Sequence, residues 1–173
     1  RKSGIVGKDV ELGHIGFGTM NGPGNTPLKT REGHLPKLHD LIQDATQRAS
    51  ARLEETGIGS DYPQDERADI ANKVAIAALK FADLSNQPHS NYIFDLDRFT
   101  TFEGKTGPYL LYAAVRIKSI LRKAKNEGIE PGDGAISVAS DEERDLVLAL
   151  DGFGEAFLGA YEKCGPNLLC DFV

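Results

Sequence analysis

The sequence contains no tryptophan, one methionine and two cysteines among 173 residues. Cys164 and Cys170 have no second cysteine pair and no histidine at ligand spacing, which excludes a zinc site. They read as small buried hydrophobes rather than as a disulfide. No apolar run approaches the ~20 residues of a membrane-spanning helix. Arg1-Lys2-Ser3-Gly4 leads into no hydrophobic region, so no signal peptide is expected. The single methionine is Met20 and position 1 is arginine, so the chain is expected to have been processed or cut from a longer one. Internal repeats and low-complexity tracts are absent as well.

What remains is an ordinary globular composition, 40% hydrophobic and 27% charged, sufficient for one domain or two incomplete ones. The net charge of −6 excludes a protein that holds polyanions by bulk charge alone. The charge is uneven. From Glu127 onward there are eleven acidic residues against two basic ones, Arg144 and Lys163, and the preceding part holds 18 basic and 15 acidic. A nucleic acid would therefore approach the first part.

The chain is organised around residues 94–125. Asp95-Leu96-Asp97 leads to a short segment ending at Glu103-Gly104, and Thr106-Gly107-Pro108 then opens a long helix. From Tyr109 to Lys125 there is no glycine, proline or acidic residue. Leu110, Ala113, Ile117, Leu121 and Ala124 form one apolar face at helical spacing. Arg116, Lys118, Arg122, Lys123 and Lys125 make the rest basic. The plainest reading is an amphipathic helix with a solvated face.

Residues 1–8 read as the tail of a helix, and Val10–Met20 as a strand running into a glycine-punctuated loop. Leu28 to Gly33 is a short basic loop whose Lys29 and Arg31 suit phosphates. Helices are predicted over Leu35–Thr56, stopped by Gly57 and Gly59, and over Asp65–Leu84. Asn91–Phe94 reads as a short strand. Residues 129–139 form a surface loop. Ser140 and Glu143 then make a capping box for a helix to about Leu150. A further apolar stripe runs through Phe153, Ala156, Phe157 and Ala160, and another helix starts at Leu168.

Three phrases carry a resemblance: Phe94-Asp-Leu-Asp97, Phe102-Glu-Gly-Lys-Thr-Gly-Pro-Tyr109, and Tyr112-Ala-x-x-Arg116-Ile. Together they are similar to the block that joins the catalytic and anticodon-binding domains of arginyl-tRNA synthetases, a class I family. His14-Ile15-Gly16-Phe17 nearly spells that class's HIGH signature. The glycines and Pro23 that follow forbid the required helix, and the basic loop comes too soon. The segment instead resembles the family's late His-x-Gly-Phe-Gly strand, which implies that Gly16, Phe17 and Gly18 border the adenine of ATP. Lys29-Thr30-Arg31-x-Gly33 resembles the lysine loop that touches the triphosphate, although the usual Lys-Met-Ser-Lys-Ser is missing. Leu38, Asp40 and Leu41, and Asn91-Tyr92-x-Phe94-Asp95, fit the same pattern.

The resemblance implies a mainly α chain. Residues 1–104 would hold the last strands and helices of a Rossmann-like class I catalytic domain, and residues 105–173 the start of an incomplete helical anticodon-binding bundle. It implies arginine–tRNA ligation, with ATP as a substrate accompanied by magnesium, arginine and its tRNA as partners, and the arginine pocket upstream of Arg1. Lys29 and Arg31 are the catalytic candidates, and Lys29 and Thr30 join the glycines at ATP. From charge alone, Arg116, Lys118, Arg122 and Lys123 are expected to meet the tRNA backbone. No metal site, membrane or DNA is expected, and the setting is cytoplasmic. Two other readings fit the residues: a non-catalytic helical module binding RNA or protein, and a nucleotide-binding regulator using only the 14–33 loop.

Overall fold

The computed structural model describes residues 4–7, 9–27, 37–130, 132 and 134–173. Its elements follow the hydrophobic pattern closely from Lys37 onward. Helix α1 spans Leu38–Thr56 and α2 spans Gln64–Leu84. Short α3, Leu96–Phe99, precedes α4, Gly107–Asn126. Three further helices close the chain: α5 Asp141–Asp151, α6 Phe153–Glu162 and α7 Asn167–Phe172. Two short strands, β1 at Met20–Asn21 and β2 at Tyr92–Ile93, pair in parallel with Met20 opposite Tyr92. Parallel pairing needs a long crossover, and α1 and α2 supply it.

The core is narrow and built on alanine. Ala45, Ala49 and Leu53 of α1 meet Ala71, Val74, Ala75 and Ala78 of α2, all buried. Ile70, Leu79, Leu96 and Phe102 pack around this seam. Small side chains let the two helix backbones approach and pack closely along this seam. Helix α4 then crosses α2 at its first turn, where Gly107 and Pro108 are buried. A Cβ on Gly107 would collide with the Ala77 carbonyl. Glycine is therefore the residue that permits this crossing.

Helix ends obey their local chemistry. Asp40 Oδ2 accepts from the Lys37 amide at 3.1 Å, so Asp40 caps α1 directly as well as carrying first-turn charge. Gly57 ends α1 in the left-handed conformation, φ 68°. Thr106 Oγ1 accepts from Tyr109 N at 3.2 Å and donates to the Thr101 carbonyl at 2.7 Å. Ser140 and Glu143 form the expected reciprocal box.

Four expectations change. Among the described residues, Met20 alone of the predicted 10–20 strand enters a ladder, which continues one residue past it to Asn21 and has a partner, β2, only two residues long. Val10, Leu12, Ile15 and Phe17 are exposed. Residues 4–6 are bends, with Gly4 at φ 73°, where a helix tail was predicted; residues 1–3 and 8 lie outside the described residues. Pro108 is the second helical residue, behind Gly107. Cys164 is exposed and Cys170 half-buried, both as free thiols. Beyond its first turns α4 is exposed except for half-buried Ala113 and Ala124, and all of α5 is exposed.

Candidate functional site

The segment ahead of β1 is laid along residues 88–94. Gly18 N donates to the Pro88 carbonyl at 2.7 Å, and Thr19 N donates to Asn91 Oδ1 at 2.8 Å. Tyr92 N and Phe94 N donate back to the Thr19 and Asn21 carbonyls at 3.1 and 2.8 Å. A Cβ on Gly18 would collide with the Ser90 carbonyl, so only glycine allows this approach. Gly16 lies against the His89 ring. Phe17 turns outward and is 88% exposed, a flat apolar face held on a fixed backbone.

Phe17, Gly18 and Met20 line one side of a cleft of about 410 Å³. Leu84, Pro88, Tyr92 and Pro166 complete it, together with Asp83 and neighbouring polar residues. Tyr92 Oη donates to Asp83 Oδ1 at 2.8 Å. Burial first, and then that bond, push the phenol well above its ordinary value, so Tyr92 stays neutral. The cleft thus offers an exposed ring, a neutral hydroxyl and apolar walls. A planar heterocycle suits such a surface by stacking.

Of the sequence candidates, Phe17 and Gly18 line this cleft, and Gly16 lies next to them against His89. Lys29, Thr30 and Arg31 lie outside the described residues. Among the described residues no cluster of His, Cys, Asp and Glu could hold a metal ion, and no helix is long and apolar enough to cross a membrane.

Arg116, Lys118, Arg122 and Lys123 are all exposed on α4. The helix separates them. At ~100° per residue, Arg116 and Lys123 share one shoulder of the polar face and Lys118 and Arg122 the other, about 130° apart. Arg116 lies over the Tyr112 ring at 5.7 Å, which fixes its direction. Lys123 is 4.0 Å from Glu127, a weak and solvated pair. Lys118 and Arg122 have no ion-pair partner among the described residues.

Sequence reasoning missed Pro166, Asp83 and the role of Tyr92. Tyr92 stood in the Asn91-Tyr92-x-Phe94 phrase, which was the available signal. Pro166 carried none, because its place across the cleft from Gly18 depends on how α7 packs on α6 and α2.

Residues 1–96 match the family described as tRNA synthetases class I (R), catalytic domain, and residues 110–173 match the DALR anticodon binding domain. The chain is similar to the arginine–tRNA ligase of Hyphomonas neptunium, 53% identical over 175 aligned positions that cover 100% of this chain and 29% of the relative. It is 52% identical to that of Maricaulis maris, over 98% of this chain and 28% of the relative. Among solved structures it resembles Thermus thermophilus arginyl-tRNA synthetase, with a TM-score of 0.77 and 33% identity over 92% of this chain and 25% of that one. The Plasmodium falciparum arginyl-tRNA synthetase matches with a TM-score of 0.66 and 25% identity, over 80% of this chain and 24% of that one. The chain thus spans under a third of the length of these curated relatives.

Proposed function

This chain belongs to the class I arginyl-tRNA synthetases, and from that premise we propose that it is part of an arginine–tRNA ligase. Residues 1–104 form the closing part of the catalytic domain and residues 105–173 the opening of the anticodon-binding bundle. The observation that carries the reading is the order of the two matches, catalytic then anticodon-binding, in one continuous chain.

In the first step an arginine carboxylate oxygen attacks the α-phosphorus of ATP. The bond to the departing pyrophosphate breaks, and arginyl-adenylate forms. In the second, a terminal ribose hydroxyl of the tRNA attacks the arginyl carbonyl, and AMP leaves. The ATP carries magnesium. The protein's contribution is placement and charge stabilisation. The adenine rests at Gly16, Phe17 and Gly18, an assignment supported by the exposed ring and the glycine-only approach. Lys29, Thr30 and Arg31 face the phosphates, with Lys29 and Arg31 stabilising charge that develops on the leaving pyrophosphate. Arg116, Lys118, Arg122 and Lys123 meet tRNA phosphates, which orients the RNA without reading sequence. The work takes place in the cytoplasm.

The test is aminoacylation by the full-length gene product with bulk tRNA and each amino acid in turn. Charging with arginine alone is expected, and residues 1–173 in isolation are expected to charge nothing. Failure to charge any amino acid would replace this reading with that of a helical binding module.

A further inference from the structure

A second cleft, of about 480 Å³, opens where α2, the β2–α3 segment and the start of α4 meet. Two cationic side chains, Arg98 and Lys105, line it with three amides, Asn25, Asn86 and Asn91, and among the described residues no carboxylate. In a chain of net charge −6 this is a local reversal of sign. It also lies at the junction between the catalytic-domain match and the helix that opens the anticodon-domain match.

The donors differ in what they have left to give. Lys105 Nζ donates to the Asp171 carbonyl at 2.8 Å and stands 4.0 Å from that residue's carboxylate, so part of its charge is already engaged. Asn86 spends its NH2 on the Ala82 carbonyl. Asn91 does the opposite. Its oxygen accepts from Thr19 N, which leaves its NH2 as a free donor among the described residues. Arg98 is held by its backbone, its amide donating to Asp95 Oδ1 at 3.1 Å in the first turn of α3. Its guanidinium has no hydrogen-bond or ion-pair partner among the described residues. A fixed backbone carrying an uncommitted planar fork suits an oxyanion with two oxygens in one plane.

We propose that this cleft receives one backbone phosphate of the tRNA, with Arg98 donating a bidentate pair and Asn91 a third hydrogen bond. The proposal rests on the ligase reading and adds to it a contact at the domain junction, away from the α4 cations. Such a contact fixes how the RNA bends from one domain to the other and carries no sequence preference.

The test is equilibrium binding of arginine tRNA to the full-length gene product over a series of potassium chloride concentrations. Arg98→Ala is expected to weaken binding about tenfold, the scale of a charged hydrogen bond. It should also reduce the slope of log affinity against log salt by about one. Arg98→Lys should recover part of the loss, keeping the charge without the fork. Asn91→Asp retains the acceptor for Thr19 N and replaces the donor with a negative charge, so it should weaken binding at least as much with an unchanged melting temperature. Wild-type binding with both Arg98→Ala and Asn91→Asp unaffected would overturn this proposal and leave the ligase reading standing. A raised KM for ATP with unchanged tRNA affinity would overturn it in favour of a nucleotide anion. Loss of tRNA binding in the wild type itself would overturn the ligase reading, and this one with it.

Discussion

Thr106 holds the joint between the two parts of the chain, and its removal makes a quantitative test of that role. Its hydroxyl satisfies two groups at once: the Tyr109 amide at the start of α4 and the Thr101 carbonyl in the preceding turn. The residue is 8% exposed, so water does not readily replace either bond. Thr106→Ala loses the cap, worth about 1 kcal/mol, and strands a partly buried carbonyl, worth about 1 kcal/mol more. The expected total is ~2 kcal/mol, which for a chain of this length lowers Tm by about 4–8 °C. Thr106→Ser keeps the hydroxyl in place and should stay within ~0.5 kcal/mol of wild type. Thermal and urea unfolding of the three proteins measure both numbers. If Thr106→Ala melts with the wild type, the hydroxyl does not hold the joint. If Thr106→Ser falls as far as Thr106→Ala, the loss comes from packing and the hydrogen-bond argument is wrong.

Gly18→Ala should lower ATP-dependent adenylate formation by at least about tenfold, because the new Cβ pushes the Phe17 segment off Ser90; pyrophosphate exchange measures it, and an unaffected rate would remove Gly18 from the nucleotide rim. Of the five tyrosines, Tyr92 should ionise last in a phenolate absorbance titration. Its folded-state pKa is raised, so its contribution to stability is full below the ordinary phenol value of 10.0 and declines as pH rises above it. Tyr92→Phe should remove that decline, and an unchanged titration in the variant would refute the assignment. Alkylation should modify exposed Cys164 before Cys170, whose thiol pKa is raised, first by burial and then by Asp171; mass mapping of the adducts over time decides the order. Replacing Lys118 and Arg122 together should reduce the salt dependence of tRNA binding by about two phosphate contacts' worth, and replacing one by about one. Equal slopes for the single and double variants would mean that only one of them meets phosphate.

Helices were legible because their signals are local. The apolar spacing of Ala45, Ala49 and Leu53, the stop at Gly57 and the Ser140–Glu143 box each depend on residues within a few positions. The strand ahead of Met20 was not legible in the same way. Apolar residues at Val10, Leu12, Ile15 and Phe17 suggest pairing, but a ladder needs a partner, and among the described residues Tyr92 and Ile93 alone provide one, opposite Met20 and Asn21. The apolar stripe on α6 was legible too, but not what it packs against: Phe153 and Phe157 remain exposed and pack on each other, while Phe153 also meets Phe172 edge-on at 5.6 Å. At the candidate site the glycines at 16 and 18 could be named from sequence, but their reason could not. The clash that demands glycine at 18 lies with Ser90, and the cleft's far wall is Pro166.

These separations set an order of events during synthesis. Thr19 finds its hydrogen-bond acceptor 72 residues later, at Asn91, and Lys105 finds Asp171 66 residues later still along the chain. At translation speeds of about 5–20 residues per second, β1 waits roughly 4–14 s for β2 to be made. During that interval the Phe17–Met20 segment has no sheet to join, while the alanine seam of α1 and α2 can already close. The helical pair is therefore the template, and the Phe17–Met20 segment is threaded onto a surface that has formed before it. The cleft's last wall arrives only when Pro166 leaves the ribosome.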